Sequence, residues 1–342
     1  MAWKIRVPKS RRFWEAPLFD IIGKRYYFFL LSAIVIVPGV LALIFWGLKL
    51  GPDFTGGSEL TVRVPLANQS TQLQNLVVRQ THATVEFVQP VLATTCPTNC
   101  QYIIRTSFLN SNQIARVTAA LPVRYPGPKA TRGIVQTSDS VGATVASSTT
   151  QNAIEAVIAA AIAILLYITF AFRKMPHPAR YGTAAIIAML HDVLVVLGIF
   201  AILGHFLNVE IDATFVTAML TIIGFSVHDT IVIFDRIREN VNRRTGEPFE
   251  AVVNHSVLQS FVRSINTSFT VVLTLGAIFL FSGESIRYFV LAMLIGIISG
   301  TYSSIFNASP ILVVWDTGEL KRFIPGRKPA TDAPKGAVGR TA

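Results

Sequence analysis

Six runs of this 342-residue chain carry almost no charge: 26–48, 153–172, 181–203, 211–234, 264–281 and 288–314. The hydrocarbon core of a bilayer is about 30 Å thick, and a helix crosses it in about 20 residues. In lipid every backbone amide and carbonyl needs an internal partner, so runs of this kind must be helices. The sixth run is long enough to tilt or to extend past the lipid. The chain therefore reads as a multi-pass α-helical membrane protein with six transmembrane helices. The first 25 residues are basic and the first apolar run has no small-residue cleavage site after it, so an uncleaved first span is expected.

The charges lie between the runs. Arg173, Lys174 and Arg180 fill one short connection, and Arg236, Arg238, Arg243 and Arg244 follow the fourth run. Lys321, Arg322, Arg327, Lys328, Lys335 and Arg340 lie beyond the sixth. The alternate connections are poor in Lys and Arg: 204–210 has none and 282–287 has Arg287 alone. The positive-inside rule then places both termini in the cytoplasm and segment 49–150 outside. This division gives a cytoplasmic segment 1–25, a first helix, an outer domain 49–150, five helices within 151–315 and a cytoplasmic tail 316–342, disordered from 324. The net charge of +11 follows topology and comes with no nucleic-acid motif, so no nucleic-acid partner is expected. The partner medium is the lipid bilayer.

Segment 49–150 reads as an extracytoplasmic α+β domain. Strand-like alternation is expected at 59–64, 84–91, 101–108 and 133–138, with helices at 71–79 and 111–121. The order βαββαβ predicts a ferredoxin-like sandwich. Gly51, Asp53, Gly56 and Gly57 suit a sharp turn from the first helix into the first strand, with Asp53 capping that turn. Cys96 and Cys100 are the chain's only cysteines. An oxidising outer compartment permits a disulfide between them, and two free thiols in a surface turn is the alternative. Two such ligands do not make a metal site.

Charged groups inside a bilayer are costly and mark function or pairing. Asp192 lies near the middle of the third run, beside His191. Asp229 lies in the inner half of the fourth, beside His228, and roughly 10 Å along the helix from Arg236 at 1.5 Å per residue. Each carboxyl group can pair with a cation, stay protonated as a hydrogen-bonding group, or alternate between the two. Alternation is what a proton-coupling site requires. The candidate cation is Arg263, at the start of the fifth run, whose guanidinium holds a carboxylate bidentately. A static ion pair that fixes helix register is the competing reading. His191 and His228 are either relay groups or packed neutral side chains. Ser264, Asn266, Thr267, Ser268 and Thr270, with Thr301, Tyr302, Ser303, Ser304 and Asn307, either bond between helices or line a hydrated path. Gly296 and Gly300 form a GxxxG packing surface.

These segments resemble the SecD/SecF family. GPDFTGG at 51–57, HDVLVVLG at 191–198 and TIIGFSVHDTIVIFDRIREN at 221–240 are similar to its signatures, as are RSINTS at 263–268 and LIGIISGTYSS at 294–304. The resemblance implies an RND-related fold and a SecF-type role in the Sec accessory complex. It implies association with SecD, the SecYEG channel and in many bacteria YajC. It further implies proton-driven assistance to an unfolded polypeptide crossing the cytoplasmic membrane. The family's fourth-helix carboxylate falls on Asp229 and its fifth-helix arginine on Arg263. The family pattern has Asn where this chain has His228.

The alternatives are a stand-alone proton-coupled RND-type exporter of lipid or small molecules, and a scaffold without ion coupling. An enzymatic reading finds no nucleotide-binding glycine loop, no nucleophile with a matched base and no metal cluster, so neither cofactor nor catalytic site is expected.

Overall fold

The computed structural model describes residues 20–90, 100–128, 132–243, 246–281 and 283–319. The basic N-terminal stretch up to residue 19, Cys96 and the stretch 324–342 lie outside them.

Helix α1 (Arg25–Phe45) is the first span. Its entry is fixed by polar contacts: buried Arg25 reaches Glu250 at 2.7 Å and Glu319 at 2.5 Å, and the Asn254 side chain accepts from the Ile21 and Ile22 amides. A four-residue helix α2 (Pro52–Thr55) turns the chain into the α+β domain. There β1 (Gly57–Val64), α3 (Ser70–Thr81), β2 (Val85–Pro90), β3 (Cys100–Thr106), α4 (Ser111–Arg124) and β4 (Ile134–Val141) follow in the expected order.

The sheet order is β2-β3-β1-β4 with every neighbouring pair antiparallel. This is the ferredoxin-like arrangement, two split βαβ units interleaved. Strand β1 alternates between the two faces, so Leu60, Val62 and Val64 pack under Leu73 and Val77 of α3 and Val117 and Leu121 of α4. Asn110 and Gln113 form a reciprocal capping box that starts α4. Gly57 has φ 114°, and a Cβ there would stand 2.7 Å from the Thr106 carbonyl oxygen. Only glycine fits both the conformation and the contact.

The remaining spans are α5 (Ala143–Ala171), α6 (Pro178–Leu207), α7 (Ala213–Arg243), α8 (Phe249–Phe281) and α9 (Glu284–Ser303). The last continues through a π-helical turn, Ser304–Ala308, into α10 (Ser309–Asp316). Six helices in the described residues are long and apolar enough to cross a membrane. Two begin well before their apolar runs: α5 starts at Ala143 and α8 at Phe249. Helical hydrogen bonding does not stop at the lipid edge. In α5 the hydroxyls of Ser148, Thr149 and Thr150 donate to carbonyls four residues back, so polar residues extend the helix without exposing unmet donors.

Small residues bring the helices together. Gly39 of α1 faces Gly198 of α6, and a Cβ on Gly198 would lie 2.5 Å from the Gly39 Cα. Backbone therefore meets backbone at that crossing. Gly296 and Gly300 of α9 both face α7; a side chain on the first would overlap Ile222, and one on the second would press on Ser226.

Candidate functional site

Asp192 of α6 is the polar centre of the bundle and is 1% exposed. One carboxylate oxygen accepts from the Ser299 hydroxyl at 2.7 Å and lies 3.0 Å from His191 Nδ1. The other accepts from Ser226 at 2.6 Å and Ser303 at 2.7 Å. Ser299 and Ser303 are one turn apart on α9, so both reach the same group. Three helices thus converge on one carboxylate whose acceptor sites are filled. Sequence reasoning found Asp192 and singled out Ser303 as a group between helices, but not Ser226 and Ser299, because spacing along the chain gives no sign that α6, α7 and α9 meet there.

Asp229 lies on α7, one turn after Ser226, and is 7% exposed. Its Oδ1 accepts from the Ser264 hydroxyl of α8 at 2.7 Å. Its Oδ2 is buried and has no hydrogen-bond partner among the described residues. The expected pair with Arg263 is not formed in this conformation. Successive residues on a helix point about 100° apart, so Ser264 faces α7 and Arg263 beside it is exposed. The same geometry turns His228 outward while Asp229 faces inward. Nearby, Thr230 meets Ser304 at 2.8 Å and Ser268 meets Thr301 at 2.5 Å. Asn307 bonds Ser32 of α1 at 3.0 Å. A polar seam therefore runs from α8 through α7 and the π turn to α1. A π turn inserts an extra residue into a helix and is often found at functional positions.

One face of the bundle is polar and uncovered. Thr214, Thr217, Thr221, Gly224 and His228 of α7 are exposed at helical spacing, as are Arg263, Thr267, Thr270 and Thr274 of α8. Several threonines satisfy themselves on their own helix; Thr221, Thr267 and Thr274 donate to carbonyls four residues back. His228 and Arg263 have no such recourse, and acyl chains are a costly surrounding for them.

The glycine-rich signature docks between the two parts of the molecule. Gly51 donates its amide to the Ile211 carbonyl at 2.8 Å, and Ile211 donates to Lys49 at 2.9 Å. The expectation for Asp53 needs correction. Its carboxylate accepts from the Ala213 amide at 2.8 Å, so it caps α7 rather than its own turn. The first-turn amides of a helix lack internal partners and draw a carboxylate from across the fold. Gly56 and Gly57 both take positive φ. Cys100 opens β3 and is buried.

Arg105 of β3 was missed in the sequence. It stands directly opposite Glu59 on β1, which also faces Asp139 on β4. Burial holds the Glu59 carboxyl above its ordinary value of 4.5; Glu210 adds to this, Arg105 opposes it, and Asp139 and Asp212 add further. Burial raises Glu210 likewise, against Arg105 and Lys49. A carboxyl group raised in the folded state holds its proton more tightly when folded. Its contribution to stability is full below 4.5 and is lost as pH rises through the folded value. Glu59→Gln mimics the protonated form. It is expected to raise the melting temperature of the full chain at neutral pH and to leave it unchanged below pH 4.5. Thermal melts across that range check this, and equal melting at neutral pH would refute it.

Comparison with known proteins gives consistent relatives. A family profile described as "Protein export membrane protein SecD/SecF, C-terminal" matches residues 129–318. The protein translocase subunit SecF of Thermobaculum terrenum is 47% identical over 92% of this chain and 100% of its own. That of Anaerolinea thermophila is 41% identical over the same shares. The protein translocase subunit SecDF of Bacillus subtilis is 32% identical over 89% of this chain and 39% of its own length. The crystal structure of SecDF, a translocon-associated membrane protein from Thermus thermophilus, superposes with a TM-score of 0.73 at 27% identity, over 87% of this chain and 39% of that one.

Proposed function

This chain belongs to the SecD/SecF family of protein export membrane proteins, and on that premise we propose that it is a SecF-type subunit which uses the proton motive force to help secreted polypeptides across the bacterial cytoplasmic membrane. Both termini lie in the cytoplasm and the ferredoxin-like domain lies outside, where the polypeptide emerges. The observation that carries the proton reading is Asp229: a carboxyl group within the bundle with one oxygen bound to Ser264 and the other unmatched. A proton on that oxygen relieves the cost of a buried charge, and its loss calls for a cation. Arg263, on the neighbouring turn of α8, is the cation within reach of a rotated helix. Proton exchange then changes how α7 packs on α8, and α7 rises directly to the outer domain.

SecD supplies the missing half. The exposed polar face of α7 and α8 needs a protein cover, and SecD, joined to such a half in one chain in the Bacillus relative, provides it. SecYEG and YajC complete the assembly. The test is export of a translocation intermediate in vesicles holding this chain with its co-purified partners. Imposing a proton gradient of about 100 mV should raise the rate by up to roughly fiftyfold, the factor that corresponds to about 2.3 kcal/mol for one charge. Equal rates with the gradient imposed and collapsed would sink the proposal, as would a native complex that lacks SecD.

A further inference from the structure

We infer that Arg105 is a positioning residue that ties the orientation of the outer domain to the outer end of α7. Arg105 is 3% exposed and its guanidinium lies against four residues on three separate pieces of chain. Nη1 donates to the Leu50 carbonyl at 2.9 Å and to the Glu210 carboxylate. Nη2 donates to the Thr55 hydroxyl at 2.5 Å, and Nε stands 3.0 Å from Glu86 on β2. Leu50 and Thr55 belong to the link between α1 and the domain. Glu210 belongs to the membrane part, three residues before α7 begins at Ala213.

The placement makes a lever. Glu210 is held by Lys49 at 3.5 Å as well as by Arg105. The next residue, Ile211, is bonded through its backbone to Lys49 and Gly51. Asp53 caps α7 itself. A shift of α7 therefore moves Glu210, and Arg105 carries that shift into β3, a central strand of the sheet. Apolar packing at this junction would hold as firmly but would permit sliding. A planar fork engaged on both sides fixes direction, and a buried pair is a poor choice for stability alone. The inference rests on the export function proposed above, and it concerns transmission rather than the proton site.

The test uses the full chain with its co-purified partners in vesicles. Distance reporters are carried by unnatural amino acids at Ala119 of α4 and Leu207 of α6, three residues before Glu210, both exposed. Wild type should give one narrow distance distribution. Arg105→Gln and Glu210→Gln should each widen it and lower export about tenfold, a coupling change of ordinary size. The double variant should be no worse than either single one, because both break the same contact. Should Arg105→Gln fail to fold, Glu210→Gln decides by the same two readouts. A distribution as narrow as wild type would overturn the inference, as would a widened one with undiminished export. The distance readout needs no gradient, so gradient-independent export would count against the proton reading and leave this result standing.

Discussion

Asp229→Asn is expected to leave a folded, assembled protein whose export no longer responds to the proton gradient. Asparagine has the shape of aspartate. Its side-chain oxygen can keep the 2.7 Å contact from Ser264, and its amide group takes the place of the unmatched Oδ2. Nothing is left unsatisfied that was satisfied before, so stability should stay within about 1 kcal/mol of wild type. What asparagine cannot do is bind and release a proton. The gradient-driven part of export should therefore fall to the gradient-free rate, a loss of up to roughly fiftyfold for one charge moved across 100 mV. Asp229→Glu, which still titrates, should retain part of the response. Vesicle export against an imposed gradient measures both. An Asp229→Asn protein that still responds to the gradient would remove the carboxyl group from the mechanism and leave the scaffold reading.

The Arg263 expectation shows where sequence reasoning runs out. It names Arg263, at the start of the fifth apolar run, and the structure brings the neighbouring Ser264 of that helix to Asp229. It could not choose between adjacent residues, because the rotation of α8 about its axis is set by packing. In the structure that rotation gives Asp229 to Ser264. The six spans were legible because lipid imposes one rule on every residue of a run. The βαββαβ order was legible because strand alternation and the Asn110 and Gln113 cap are local. Contacts between distant segments were not: Asp53 capping α7 and Gly39 meeting Gly198 depend on which elements become neighbours. Arg105 left a faint signal. It interrupts the apolar stretch of β3 at a position that comes out buried, and Glu210 is the one charge in the 204–210 connection. Two opposite charges placed where none is expected were worth pairing.

Asp192 invites the same substitution as Asp229 and should answer differently. Its two oxygens receive three serine hydroxyls and face His191 Nδ1. Asn keeps one oxygen but turns the other into a donor, which then confronts a serine pair already donating. The serines on that side must then turn their hydroxyls to accept where they donated, losing their bonds to a carboxylate, and the space around Gly300 is too tight to admit a compensating group. Hydrogen bonds to a charged group contribute about 1.5–3 kcal/mol each, so giving up two of them costs several kcal/mol. Asp192→Asn and Asp192→Ala should therefore both lower the unfolding midpoint sharply and loosen α6 from α9, with export lost because the bundle is lost. The measurement is denaturant or thermal unfolding in detergent, followed by hydrogen exchange along α9. If Asp192→Asn instead kept the stability of wild type and lost only its response to the gradient, Asp192 would be a second proton site and the division of labour between the two carboxyl groups would be wrong. The contrast follows from their surroundings: one group has every acceptor site filled and holds three helices in place, while the other has an open oxygen and room for a proton.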